Sequence, residues 1–129
     1  MMPHFILEYT DNLKPEANIP LLLEKINNVL ISYHDIFPIG GIRSRAIELR
    51  DYRVADGKEN DAFVHGMLKI GAGRSEEIKK EVCDELFEVI KDHFQDLFDK
   101  RYLALSMELV EFSEAGTYKH NNIHNRFRR

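Results

Sequence analysis

Tryptophan is absent, cysteine occurs once, at Cys83, and no apolar run approaches the roughly 18 residues that a membrane span requires. A single cysteine excludes an internal disulfide and leaves no Cys-based zinc cluster within one chain, so Cys83 is expected to pack on a helix. The segment Met1-Met2-Pro3-His4-Phe5-Ile6-Leu7-Glu8-Tyr9 lacks the basic region and the long apolar core of a signal peptide, and its alternation is that of a strand. No membrane partner and a cytoplasmic location are therefore expected. An excess of positive charge is also missing. The formal net charge is -4, and the basic cluster of Lys119, His120, Arg126, Arg128 and Arg129 stands at the end of the chain without a nucleic-acid-binding motif. Nucleic acid is not the expected partner.

What is present is a chain of 129 residues, 43% hydrophobic and 31% charged, which suits one domain over residues 1–129 with a core of its own. Phe5 to Thr10 alternates apolar and polar positions up to the turn signal Asp11-Asn12, and reads as a first strand. Ile19, Leu22, Leu23, Ile26, Val29, Leu30 and Tyr33 recur at helical spacing, with Pro20 in the permissive first turn, which predicts a helix over about 19–34. Ile36-Phe37-Pro38-Ile39-Gly40-Gly41 breaks that helix. Ile42 to Arg53 then reads as a long, partly exposed strand carrying a bulge.

After the polar turn Asp56 to Asp61 the pattern restarts. Ala62 to Ile70 is a strand, and Ser75 is a helix N-cap followed by Glu76 and Glu77. Ile78, Val82, Leu86, Ile90, Phe94 and Leu97 form one apolar stripe that predicts a helix through about residue 99. Tyr102 to Phe112 is the last strand. Two consecutive β-α-β units, 3–53 and 62–112, predict an α/β fold, with one sheet covered on one face by two helices. The other face needs a cover that homo-oligomerisation would supply. Residues 113–129 have weak periodicity and read as a C-terminal arm, either a cap on their own subunit or a reach onto a neighbour.

Several residues could carry chemistry. Pro3 opens the first strand, where a missing N–H is least costly, and that structural use is sufficient by itself. Its functional use needs Pro3 to be the mature N-terminus, because only then is its nitrogen a secondary amine. A free α-amino group titrates near 8, and burial beside positive charge would bring it toward neutrality, where it suits general-base work. Arg43 and Arg45 share one face of a strand just after Gly40-Gly41, as an exposed pair or as a carboxylate fork. Arg74 lies in Gly71-Ala72-Gly73-Arg74-Ser75, between a strand and a helix N-terminus. That loop is either a plain tight turn or an anion site, and Glu76 stands where a dinucleotide fingerprint would need a third glycine. His120 and His124 have i, i+4 spacing but no third ligand, so no metal is expected. No nucleophile elbow surrounds a serine or the cysteine.

The segments Pro3-His4-Phe5, Ile36-Phe37-Pro38, Gly41-Ile42-Arg43-Ser44-Arg45, Ala55-Asp56-Gly57 and Leu68 through Ser75 resemble those of the 5-carboxymethyl-2-hydroxymuconate delta-isomerases. The likeness continues through Leu86-Phe87-Glu88, His93-Phe94, Leu103-Ala104-Leu105-Ser106 and Asn121-Asn122-Ile123-His124. It therefore runs over nearly the whole chain from Pro3.

This resemblance implies membership of the tautomerase superfamily, a duplicated β-α-β fold assembled as a homotrimer with sites near subunit contacts. It also implies a cofactor-free isomerase of bacterial homoprotocatechuate breakdown that acts on a small, multiply charged carboxylate. Pro3 matches the family's amino-terminal base and Arg43 its arginine after the glycine loop, while Arg74 matches the arginine of the helix-entry loop. Arg45 and Phe37 are further expected to bind substrate, with Phe37 excluding water. A broader phenylpyruvate-type tautomerase is the alternative within the fold. A noncatalytic oligomeric binding protein is the alternative if Pro3 is not the mature N-terminus. The pattern departs from the family's by one extra leading methionine, and a start at Met2 would restore it.

Overall fold

Alternating and helical periodicities resolve, in the computed structural model that describes residues 2–128, into two β-α-β units sharing one sheet. The first comprises β1 (His4–Thr10), α1 (Ile19–Ser32) and β2 (Arg43–Leu49). The second comprises β3 (Ala62–Gly71), α2 (Glu76–His93), the short α3 (Gln95–Lys100) and β4 (Leu103–Phe112). Single 3-10 turns occupy Asp11–Leu13, Ile39–Gly41, Glu114–Gly116 and Ile123–Phe127. The four strands lie in the order β2-β1-β3-β4. Within each unit the strands are parallel, and the two units meet through the antiparallel pair of β1 and β3.

Side-chain alternation assigns the two faces. Phe5, Leu7 and Tyr9 point to the helices, and beside them in register stand Leu68, Gly66 and Val64 of β3. Leu22, Ile26, Val29 and Leu30 of α1 and Val82, Leu86 and Ile90 of α2 close this layer. Each large aliphatic or aromatic side chain withdrawn from water here contributes about 1.5–3 kcal/mol, which offsets the ordering of the backbone. Gly66 has a specific reason to be glycine: a Cβ there would stand 2.7 Å from Cζ of Phe5.

The opposite face carries no helix. It presents His4, Ile6 and Glu8 of β1, Arg43, Arg45 and Ile47 of β2, and His65, Met67 and Lys69 of β3, all half-buried or exposed. His65 is held there by Ser106 Oγ at 2.7 Å and Glu108 Oε2 at 3.2 Å.

Three element ends differ from the sequence reading. The first helix stops at Ser32, with Tyr33 as its cap, two residues short of the expected end. The second strand spans Arg43–Leu49 instead of reaching Arg53, and its one-to-one register with β1 leaves no bulge. Its neighbour β1 ends at Thr10, opposite Leu49, and β2 is an edge strand, so Arg50 to Arg53 have nothing to pair with. The expected single helix to about 99 is interrupted at Phe94 (φ -99°, ψ 8°), which stays fully buried while the chain turns into α3 toward β4. At the other end of α2 the sequence signals hold: Ser75 Oγ accepts from Ile78 N–H at 3.2 Å, with Glu76 and Glu77 in the first turn. Cys83 is a half-buried free thiol on α2, and burial raises its pKa. Among the described residues no helix is long and apolar enough to cross a membrane.

Candidate active site at the head of the first strand

Topology brings the expected residues to one end of the sheet. Parallel pairing starts β2 beside the start of β1, and antiparallel pairing ends β3 there, so Arg43 and the loop Gly71 to Ser75 both lie at the end marked by Pro3. Pro3 is buried, and its carbonyl accepts the main-chain N–H of Arg43 at 3.2 Å. The next residue, His4, faces Arg43 on one side and Lys69 on the other. Arg45 lies two residues further on the same face as Arg43, and its Nη1 approaches His4 Nδ1 at 3.3 Å. Arg74 is exposed, in a loop where Gly73 takes φ +109°, a conformation that favours glycine.

Phe37 reaches the same end from beneath. At 1% exposure its ring belongs to the core, two residues ahead of the turn Ile39–Gly41. That turn is closed by Gly41 N–H to Pro38 carbonyl at 2.9 Å and Ile42 N–H to Ile39 carbonyl at 3.2 Å, and it delivers the chain into Arg43.

The electrostatic character of this end is read from His4. Burial lowers its imidazole below the ordinary value, and the positive charges of Arg45, Arg43 and Lys69 lower it further. The neutral ring can then take the Arg45 guanidinium hydrogen on Nδ1.

The C-terminal segment packs on the Ile39–Gly41 turn, a placement the sequence reading left open. Residues 121–127 fold back on their own chain. Asn121 Nδ2 donates to the Gly40 carbonyl at 2.9 Å, and a Cβ on Gly40 would meet the His124 Cα at 2.8 Å and its ring Nδ1 at 2.6 Å. Asn121 Oδ1 accepts from Ile123 N–H at 2.7 Å, which fixes the plane of the amide. Asn121, His124, Lys69 and His4 are thus neighbours of the site that the sequence reading gave no role. For His4 and Lys69 the available signal was their strand position. Asn121 and His124 had only their place in the family-like segment. His120 lies outside the last 3-10 turn, so it does not share a helical face with His124. Among the described residues no three His, Cys, Asp or Glu side chains gather as a metal would need. The surface hollow of about 500 Å³ lined by Phe98 to Leu103 belongs to the α3–β4 corner, far along the sheet from Pro3.

Two β-α-β units fused in one mixed four-stranded sheet give an α/β fold similar to that of tautomerase-superfamily structures. A fused 4-OT solved as a symmetric trimer matches it with a TM-score of 0.68 over 90% of each chain, at 16% identity, a likeness of fold alone. More specifically, the model of the 5-carboxymethyl-2-hydroxymuconate isomerase family matches residues 3–127, and the chain belongs to that family. It is 46% identical over 127 residues to the 5-carboxymethyl-2-hydroxymuconate Delta-isomerase of Escherichia coli, covering 98% of this chain and 100% of that one. The crystal structure of a 5-carboxymethyl-2-hydroxymuconate isomerase from Deinococcus radiodurans R1 superposes with a TM-score of 0.95 at 61% identity, over 99% of this chain and 96% of that one.

Proposed function

We propose that this chain is a cofactor-independent isomerase that converts 5-carboxymethyl-2-hydroxymuconate to its 2-oxo isomer, with the free amine of Pro3 as the base. Family membership over residues 3–127 supports the reaction. The observation that carries the mechanism is the placement of Pro3, buried at the head of β1, bonded through its carbonyl to Arg43 and one residue before His4, whose pKa is lowered by burial and then by Arg45, Arg43 and Lys69.

In the reaction the Pro3 nitrogen lone pair takes the 2-hydroxyl proton. The O–H bond breaks, its electrons become the C=O π bond, and the diene shifts toward the far carbon. That carbon then takes the proton from the Pro3 ammonium, which restores the amine. Arg43 stabilises the oxygen as it gains charge, and Arg45 and Arg74 hold carboxylates. Phe37, buried in the core just ahead of the Ile39–Gly41 turn, helps to exclude water there. Assembly as a homotrimer, in the cytoplasm, would cover the helix-free face of the sheet.

Within the chain Pro3 is joined to Met2, and its nitrogen is then an amide without basicity. The decisive experiment compares protein whose intact mass shows Pro3 as the first residue with protein that retains Met2. Isomerisation by the first alone is expected, and equal turnover by both would overturn Pro3 as base. A lower kcat/KM for a monocarboxylate enol than for the tricarboxylate dienol is expected as well. The reverse preference would favour a phenylpyruvate-type tautomerase.

A further inference from the structure

The side chain of Met2 is only 8% exposed, and one wall of the space that it fills is the amide of Asn121, whose Nδ2 lies 3.9 Å from Met2 Sδ. An amide nitrogen carries two hydrogens. One goes to the Gly40 carbonyl at 2.9 Å. The other is left between His124 Nε2 at 3.3 Å and the thioether of Met2, a weak acceptor. Asn121 is therefore a donor fixed in direction by Ile123 N–H and Gly40, with one hydrogen poorly used and turned toward the Met2 side chain.

Met2 is bonded to the Pro3 nitrogen. The same cleavage that makes Pro3 an amine removes Met2 and leaves the space it filled next to that amine. We infer that the pocket holding the Met2 side chain is a substrate subsite, and that Asn121 Nδ2 donates there to a carboxylate of the substrate. The inference rests on the reading of Pro3 as a free amine. It adds an uncharged donor to a site otherwise built from arginines, on a segment 81 residues away from Gly40 in sequence.

The test uses Asn121→Asp and Asn121→Ala in protein shown by intact mass to begin at Pro3. Asp keeps the acceptor for Ile123 N–H but loses the donor and repels an anion. KM for 5-carboxymethyl-2-hydroxymuconate should rise about tenfold or more in the Asp variant and less in the Ala variant. For both, kcat should stay within about threefold, while the melting temperature should fall modestly as the bond to the Gly40 carbonyl is lost. An unchanged KM in both variants overturns the inference. So does a joint collapse of kcat, KM and melting temperature, which would make Asn121 a support of the fold alone. If the parent protein itself, with Pro3 first, shows no isomerisation, the reading of Pro3 fails, an outcome distinct from either.

Discussion

Arg43 donates its main-chain N–H to the carbonyl of Pro3 at 3.2 Å, so the residue assigned as base and the arginine beside it are joined by a backbone hydrogen bond between two strands. Their spacing is set by the sheet, which is more rigid than a pair of loops. Replacing the Arg43 side chain leaves that backbone bond in place. Arg43→Ala is expected to lower kcat/KM for the tricarboxylate dienol by about 100-fold or more while leaving the melting temperature nearly unchanged, and Arg43→Lys should recover only part of it. Steady-state kinetics beside thermal unfolding checks this, and an unaffected kcat/KM would remove Arg43 from the site.

His93 makes stability depend on pH. Its Nε2 lies 2.6 Å from the Ala17 carbonyl and its Nδ1 lies 3.1 Å from Lys25 Nζ, an arrangement of a neutral ring that donates to one and accepts from the other. Burial depresses its pKa, Lys25 adds to the effect, and the Ala17 carbonyl opposes it. The unfolded chain, titrating near 6.5, then binds the proton more readily than the fold does. This contribution is whole above about 6.5 and declines as the pH falls below it. Urea unfolding at about pH 8 and about pH 5.5 should show a loss on acidification that is smaller in His93→Gln.

Gly66 sits under the Phe5 ring with no room for a side chain. The methyl of Gly66→Ala would press on Phe5 Cζ at 2.7 Å and Cε1 at 3.1 Å, with Ile90 Cδ1 behind at 3.5 Å. The Phe5 ring and the Ile90 side chain are both fully buried, with no open side to move into. A destabilisation of about 1–3 kcal/mol in denaturant titration is expected from overpacking.

Ser75 supplies the only side-chain acceptor found for the N-terminus of α2 among the described residues. Ser75→Ala should cost about 1 kcal/mol of stability, and Ser75→Asp should restore most of it through the same acceptor and the helix dipole. Thermal unfolding of both variants tests the pair, and equal loss in both would remove the cap as the cause.

Much of this architecture is written in local pattern. The stripe from Ile78 to Ile90 and the alternation from Phe5 to Tyr9 depend only on which face is buried, and both were legible in the sequence. So was the N-cap at Ser75. The end of β2 was not, because Arg50 to Arg53 look no different from Arg43 to Leu49; pairing stops where β1 does. The break at Phe94 keeps the apolar spacing intact, so periodicity carries no mark of it. Pro3, Arg43 and Arg74 were singled out through their segments, and the topology brings them to one end. Phe37 was expected to touch substrate, yet its ring is in the core. Asn121 escaped notice because the tail has no period and its partner, Gly40, is distant in sequence.

The duplicated sheet also sets a stoichiometry. The residue before β1 is Pro3, and its counterpart before β3 is Asp61; the residues that open the paired strands are Arg43 and Leu103. At the second end the chain arrives from a loop, so Asp61 is an ordinary peptide unit with no amine to release. Arg101 there bonds the carbonyls of Asn12 at 2.8 Å and Asn60 at 2.7 Å, which ties the loop down. On the proposed reading of Pro3, one half of the molecule carries the reactive amine and the other, through Arg101, an anchor. In protein that begins at Pro3, with Cys83 replaced by serine, an electrophile that alkylates the Pro3 nitrogen should saturate there at a single equivalent per polypeptide, however symmetric the sheet.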